Sequence, residues 1–391
     1  MKNLPQIRKG IKIIHTLLDY LDRGYSRFLP KRIQEVPRLI PSSAKIRRIL
    51  VIQLFAMGDL LLSLPLLKGL RSDYPDTEID FWIVKNWREL EPLLPYVNRI
   101  ITTDSRDFMR TFLVIRSLRK RRYDLAFILY PVVIGSWLAF LAGAKYRIGY
   151  TRDFDDREFL HKADSFLLTH PVPLGNTVIH DTQRYLALGR HLGLPCTWEA
   201  PFLYIPSSAN SYINQFLQQR KRGIQTRYLI GINPNASWLG KRWPDHKFAA
   251  LADLLIKNLK AEVIFFGSKS EKEYVDSVIS RMASKPLSAA GRTSLVEMAA
   301  LIRCCSLFIS NDSGPMHMAC ALDVPTLAIM GPTRVEMFRP WATQAELMQS
   351  NLPCTPCQYE NTDHCRHFSC IRSISVSSVY RASIKMIQYH S

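Results

Sequence analysis

The chain has 391 residues, of which 52 are Lys or Arg and 33 are Asp or Glu, so its formal net charge is +19 at pH 7. Its length favours two domains, because a single hydrophobic core stops growing at roughly 250–300 residues. The sequence has no secretory signal and no run near the ~20 apolar residues of a membrane span, which predicts a cytoplasmic protein.

Residues 1–47 are predicted to form a basic extension and linker. Residues 1–48 contain 12 Lys or Arg but only 3 Asp or Glu, and apolar residues recur every three or four positions from Ile7 to Phe28. This spacing is typical of one helix face, and a basic flank beside it suits an anionic membrane surface. The alternative is a helix docked on the protein itself. A second basic cluster lies at 116–122.

Residues 48–205 are predicted to form an α/β domain. Short apolar runs alternate there with helical stretches, and this order argues for a parallel sheet built from βα units. The predicted strands are residues 49–54, 79–84, 125–129 and 147–149. A loop at 55–59 follows the first strand, and a helix is expected at 60–71. Prolines mark the connection to the next domain at 195–226.

Residues 206–391 show the same alternation of short apolar strands and helical stretches, which predicts a second α/β domain. The expected strands are 228–233, 263–267, 307–310 and 326–330, and the expected helices are 246–259, 271–282, 294–303 and 314–322. The fold class is therefore α/β, with two Rossmann-like doubly wound domains facing across a cleft. Ligands bind such sheets at the carboxyl ends of the strands, so we expect the site in the crevice between the domains. No Walker motif or G-x-G-x-x-G is present.

Three loops follow predicted strands and carry candidate site residues. Residues 310–319 open a helix, where Gly314 permits close backbone approach and free N–H groups can bind a pyrophosphate. The alternative is that Asp312 or Ser313 only caps that helix. In the second loop, 233–244, Lys241 could neutralise a phosphate, although a solvated loop is the simpler interpretation. The third loop carries Asp59, which is either a crevice carboxylate or the N-cap of the helix from Leu60.

In this order and spacing, the three loops resemble glycosyltransferase family 9, the heptosyltransferases of lipopolysaccharide core assembly. The matching stretches are ILVI (49–52), MGD (57–59), LP (64–65), KRWP (241–244), NDSGPMH (311–317), GPT (331–333) and CTPC (354–357). The resemblance covers roughly residues 48 to 380. It implies a GT-B fold and an inverting transfer from a nucleotide sugar, usually ADP-heptose, without a metal ion or other cofactor. The implied acceptor is a lipid-linked saccharide such as the lipopolysaccharide core.

The resemblance also implies roles for individual residues. Asp59 matches the general base, and Lys241 matches the lysine that contacts phosphate. Glu271 matches a carboxylate near the nucleotide ribose, and Thr293 is expected to line the base pocket. The donor-binding loop corresponds to Asp312, Ser313, Gly314 and His317. A helix N-terminus and a lysine would stabilise the leaving diphosphate, while a carboxylate takes the proton of the acceptor hydroxyl.

Several alternatives stay open at this stage. His317 could be a core histidine rather than a site residue. The cysteines at 354, 357, 365 and 370 could bind zinc, although the second pair is loosely spaced and the resemblance suggests a structural feature without a required metal. The family member could use another nucleotide sugar, or the chain could bind a polyanion without catalysis. Scattered aromatic residues provide no stacking platform, so we expect no nucleic-acid partner.

Overall fold

The computed structural model describes residues 45–103, 108–130, 132–151, 167–173, 179–196, 201–218, 227–357, 365 and 367–390. The chain divides into two compact units, residues 1–198 and residues 199–391. Most of the basic extension predicted at 1–47, and with it the proposed membrane helix, lies outside the described residues. Each unit is built around its own parallel sheet.

The first unit contains six strands in the order β3-β2-β1-β4-β5-β6, and every neighbouring pair is parallel. The strands are β1 (Arg48–Gln53), β2 (Glu78–Val84), β3 (Arg99–Thr103), β4 (Leu125–Tyr130), β5 (Tyr146–Tyr150) and β6 (His170–Val172). Its helices are α1 (Met57–Leu62), α2 (Leu64–Asp73), α3 (Phe108–Arg119), α4 (Val132–Leu141) and α5 (Asp181–His191), with a 3₁₀ helix at Lys85–Leu93.

The second unit has the same plan, in the order β12-β11-β10-β7-β8-β9, again with only parallel pairs. Its strands are β7 (Leu229–Asn233), β8 (Glu262–Phe265), β9 (Leu287–Ser288), β10 (Leu307–Asn311), β11 (Thr326–Ile329) and β12 (Ala345–Met348). Its helices are α6 (Ser207–Gln218), α7 (Asp245–Leu259), α8 (Lys272–Ile279), α9 (Leu295–Arg303), α10 (Gly314–Ala321), α11 (Val335–Phe338), α12 (Ser369–Arg372) and α13 (Val376–His390). Two 3₁₀ turns lie at Leu239–Lys241 and Lys269–Glu271.

The central strands are buried on both faces, which explains their nearly continuous apolar sequence. All six residues of β4 and all five of β10 are buried. In the second unit, the core includes the fully buried Trp243, Phe248 and Phe265, and α13 adds Met386 and Ile387 to it. The prediction of two doubly wound α/β sheets is therefore confirmed.

Each sheet has a point at which the strand order changes direction. It lies between β1 and β4 in the first unit and between β7 and β10 in the second. Loops at the carboxyl ends of such strands are the usual ligand sites of doubly wound sheets. Asp59 follows β1, and Asp312 directly follows β10. No helix in the described part of the chain is long and apolar enough to cross a bilayer.

Candidate functional site

A buried ion pair lies at the strand-order change of the second sheet. Lys241, on the 3₁₀ turn after β7, places Nζ 2.6 Å from Oδ2 of Asp312. The hydroxyl of Thr333 donates to the same carboxylate oxygen over 2.5 Å. Lys241 is 9% exposed and Asp312 is 6% exposed. The structure therefore brings together two of the predicted site residues and adds Thr333 from the GPT stretch (331–333), for which no role was predicted.

The electrostatics of this cluster keep Asp312 ionised. Burial opposes the charge, but the ammonium of Lys241 and the hydrogen bonds from Lys241 and Thr333 outweigh it, so the pKa of Asp312 is lowered. Burial lowers the pKa of His317 to about 4, although the nearby Asp312 carboxylate acts in the opposite direction. His317 is consequently neutral at physiological pH. Its Nδ1 is buried and has no hydrogen-bond partner among the residues that the structure describes.

The N-terminus of α10 has no side-chain capping hydrogen bond. Ser313 occupies the N-cap position, but its side chain makes no capping hydrogen bond. Its hydroxyl instead accepts from the amide of Asn233 over 3.0 Å and lies 3.0 Å from the Ser310 hydroxyl. Asp312 is paired with Lys241. Ser313 is therefore the N-cap residue of α10 but makes no side-chain cap, and the binding of an anion at this helix end stays a prediction.

Three asparagines connect the loops that carry these residues. The amide of Asn235 donates to Oδ1 of Asn233 and to the carbonyl of Phe266, both over 3.0 Å. Asn311 accepts from the backbone N–H of Trp243 over 3.1 Å and donates to the carbonyl of Pro234 over 2.8 Å. These bonds fix the 233–244 loop, so it is not merely a solvated loop. The sequence contained the asparagines but gave no signal that separates their role from that of ordinary turn residues.

Glu271 and Thr293 have different surroundings. One oxygen of Glu271 accepts from the backbone N–H and the hydroxyl of Ser268, over 2.8 and 2.7 Å, which closes a capping box on the turn after β8. Thr293 is half-buried and precedes Ser294, the N-cap of α9. Both residues lie in loops of the same unit, and their predicted contacts with a nucleotide stay predictions.

In the first unit, Asp59 lies in the first turn of α1, which begins at Met57 with Ala56 as its N-cap. The helix starts three residues earlier than the sequence predicted, so the interpretation of Asp59 as an N-cap for a helix from Leu60 is wrong. Asp59 is half-buried. The turn is anchored through Ser63, whose hydroxyl donates to the carbonyl of Leu60 over 2.7 Å.

A group of buried polar residues at the start of α5 lies beside Asp59. Asp181 is 1% exposed and accepts from Nη1 of Arg184 over 3.3 Å. Burial raises the pKa of Asp181 well above its ordinary value, repulsion from Asp59 raises it further, and Arg184 opposes both. The hydroxyl of Thr182 donates to the carbonyl of Leu62 over 3.1 Å and thereby joins α5 to α1. Asp181 is far from Asp59 along the chain, so the sequence carries no signal of this group.

The late cysteines, Cys354, Cys357, Cys365 and Cys370, form no disulfide bond in this structure. Burial raises the pKa of Cys357, and electrostatic interaction with Cys354 and Cys365 raises it further. Burial similarly raises the pKa of Cys370 to about 11. Among the residues that the structure describes, no three His, Cys, Asp or Glu side chains are arranged to hold a metal ion.

Two doubly wound units, each with polar loops at its strand-order change, are the plan of the GT-B fold. Residues 111–366 match the family model of glycosyltransferase family 9 (heptosyltransferase), and the chain belongs to this family. It is therefore an enzyme, as the motifs predict, and the alternative of a polyanion-binding protein without catalysis does not hold.

Individual relatives support this assignment over most of the chain. Lipopolysaccharide heptosyltransferase 2 of Escherichia coli K12 is 28% identical over 326 residues, which are 77% of this chain and 88% of that protein. Lipooligosaccharide heptosyltransferase 2 of Haemophilus ducreyi is 29% identical over 320 residues, with the same coverage of 77% and 88%.

Two solved structures are similar to this chain in fold and in sequence. A family 9 glycosyltransferase from Veillonella parvula has a TM-score of 0.76 at 25% identity, covering 88% of this chain and 98% of that one. The E. coli ADP-heptose lipopolysaccharide heptosyltransferase II has a TM-score of 0.70 at 26% identity, covering 88% and 99%.

Proposed function

We propose that this enzyme transfers heptose from ADP-heptose to a lipopolysaccharide core or related lipid-linked saccharide, with inversion at the anomeric carbon and without a metal ion. The names of its relatives support the donor and the acceptor class, because both a similar enzyme and a similar solved structure are lipopolysaccharide heptosyltransferases. The observation that carries the proposal is the Lys241–Asp312 pair beside the uncapped N-terminus of α10.

In this proposal the second unit binds the donor diphosphate. The ammonium of Lys241 carries a positive charge and three N–H donors, and its bond to Asp312 aims this group. The N-terminus of α10 adds backbone N–H groups and a partial positive charge. Both stabilise the negative charge that grows on the departing ADP, which is the role a divalent ion plays elsewhere. His317, neutral at physiological pH, supplies a further hydrogen-bonding group.

The first unit supplies the base. Asp59 takes the proton of the acceptor hydroxyl, which then attacks the anomeric carbon from the face opposite to the leaving ADP and so inverts its configuration. A base in this position typically contributes 10²–10⁴-fold to the rate. Glu271 and Thr293 are proposed to contact the ribose and the adenine of the donor.

The direct test is transfer by the purified protein. ADP-heptose and nucleotide-linked hexoses are offered with a heptose-deficient core lipid, and the product is analysed by mass spectrometry and by NMR of the new anomeric centre. We expect transfer from ADP-heptose alone, with inversion, and equal rates with and without EDTA. Transfer from a different sugar would change the donor assignment, and loss of activity in EDTA that added Mg²⁺ restores would reject metal independence.

The role of Asp59 is tested by Asp59→Asn, which keeps the size of the side chain but cannot accept a proton. We expect turnover to fall by about 10²-fold or more, while the affinity for ADP and the melting temperature stay the same. Asp76→Asn is the control, since Asp76 is an exposed carboxylate in the same unit. Near wild-type turnover of Asp59→Asn would remove this residue from the catalytic step.

A further inference from the structure

Helix α3 carries a surface that the proposed reaction does not use. Leu118 faces the interior and is 1% exposed, whereas Phe112 and Leu113 on the outer side are 60% and 57% exposed. Phe112 and Leu113 are adjacent, so their two exposed side chains leave a continuous apolar surface in contact with water. Single exposed apolar residues are common on protein surfaces, whereas adjacent exposed apolar side chains form a patch of the kind found at contact sites.

The same face is strongly basic. Its exposed cations are Arg116, Arg119, Lys120 and Arg122. Residues three or four apart on a helix are neighbours, so Arg116 and Arg119 continue the row that begins at Phe112. Lys120 and Arg122 follow directly after the end of the helix. Arg121 is the exception, because it turns inward and pairs with Glu78 over 2.6 Å and with Asp80 over 2.9 Å. Residues 108–122 contain no Asp or Glu, so this surface carries no internal counter-charge.

We propose that this face, Phe112 to Arg122, docks the enzyme on an anionic lipid membrane. Phe112 and Leu113 enter the boundary between headgroups and acyl chains, and the four exposed cations contact lipid phosphates. A helix with exposed Phe or Leu flanked by Arg and Lys has the composition of interfacial membrane helices. Long basic side chains can follow the headgroups while the helix lies in the interface.

The charge and the apolar pair together select this partner. A nucleic acid would account for the cations but not for adjacent exposed Phe and Leu side chains, and an acidic protein would need a matching apolar pocket. In addition, α3 follows β3, whose carboxyl end lies at the same edge of the parallel sheet as the carboxyl end of β1. Phe112 is therefore in the half of α3 nearer to the edge from which the Asp59 loop leaves. The proposal does not depend on which sugar or acceptor the enzyme uses.

The first test measures sedimentation of the full-length protein with vesicles of phosphatidylglycerol and phosphatidylcholine, compared with pure phosphatidylcholine. We expect binding only to the anionic vesicles. The double variant Phe112→Ser/Leu113→Ser should lower the partition coefficient about 10-fold or more, and Arg116→Gln/Lys120→Gln should lower it in a salt-dependent manner. Tyr389→Ser, which removes an 83% exposed aromatic from α13, is the matched control and should bind like the wild type.

The second test separates α3 from the basic extension, which could itself bind lipid. Phe112→Trp and Tyr389→Trp are titrated with vesicles that carry brominated acyl chains. We expect additional quenching of the tryptophan at position 112 and none at position 389. Equal sedimentation of wild type and both double variants, or no added quenching at position 112, would overturn the proposal. Retained vesicle binding with loss of duplex DNA binding in Arg116→Gln/Lys120→Gln would overturn it in favour of a nucleic-acid partner.

Discussion

Lys241 and Asp312 each stabilise the charge of the other. A substitution at either residue therefore changes both the affinity for ADP and the stability of the fold, and the two effects must be measured separately. Lys241→Gln should weaken ADP binding by roughly 10- to 100-fold, since a charge-assisted hydrogen bond contributes about 1.5–3 kcal/mol. It should also destabilise the protein by about 3–5 kcal/mol, because the fully buried Asp312 loses its counter-charge. The measurements are calorimetric ADP affinity and denaturant unfolding.

The double variant Lys241→Gln/Asp312→Asn distinguishes the two effects. Without a buried carboxylate it should regain most of the lost stability, while ADP affinity stays low because no ammonium is present. Wild-type ADP affinity in this double variant would contradict the proposed role of Lys241. Failure to regain stability would show that the loss does not come from the unpaired charge.

Asp181 should make stability depend on pH in a definite direction. Burial and the neighbouring Asp59 raise its pKa in the folded protein. The folded state therefore holds this proton more tightly than the unfolded chain does, and stability is lost as the pH rises above about 4 towards the folded pKa. Asp181→Asn cannot ionise but can still accept from Arg184.

We therefore expect Asp181→Asn to be more stable than the wild type at neutral pH, with the difference vanishing below about pH 4. Chemical denaturation at a series of pH values measures this. The exposed Asp76→Asn should leave the pH profile unchanged. A variant less stable than the wild type at neutral pH would mean that Asp181 is held ionised by Arg184.

At the scale of elements, the donor loops depend on a close backbone approach between the end of β11 and the turn after β7. A Cβ added to Gly331 would lie 3.0 Å from the carbonyl of Gly240, the residue before Lys241. Gly331→Ala should therefore move this turn by a few tenths of an ångström, destabilise the protein by about 1–3 kcal/mol and weaken ADP binding several-fold. Isothermal calorimetry and thermal unfolding measure both effects.

Gly69→Ala is the control for that change. The new Cβ would meet only the sulfur of Cys196 at 3.5 Å, an ordinary contact, and alanine is favoured over glycine within a helix such as α2 by roughly 0.5–1 kcal/mol. We expect unchanged ADP affinity and equal or higher stability. Unaltered ADP binding by Gly331→Ala would show that the position of Lys241 does not depend on this approach.

The sequence predicted the central elements better than the peripheral ones. β1, β4, β7 and β10 were predicted because they are buried on both faces and form continuous apolar runs. All four edge strands, β3, β6, β9 and β12, were missed, since an edge strand has fewer buried positions and a weaker pattern. The loops that bear Asp59, Lys241 and Asp312 were located from their place after strands. The contacts of Thr333 with Asp312 and of Asp181 with Asp59 could not be predicted, because the two partners are far apart in sequence and come together only in the folded protein.

At the scale of the whole molecule, two units with separate sheets and cores should respond separately to a ligand. ADP at 100 times its dissociation constant stabilises the fold that binds it by about 2.7 kcal/mol. If the second unit holds the donor, ADP should raise the temperature of one calorimetric transition and leave the other unchanged. Lys241→Gln should lose the shift. A shift of the first unit alone, assigned by limited proteolysis at the transition, would contradict the proposed division of roles.

The identical strand order of the two sheets has an evolutionary consequence. In each unit the framework of the sheet is separate from the loops at the strand-order change, so mutations in those loops can alter a substrate preference without rebuilding a core. Because the proposed donor groups and the proposed base lie in different units, natural selection can act on the two preferences independently. A lineage can thus acquire a new acceptor while it retains its sugar donor, with the changes confined to the first half of the gene.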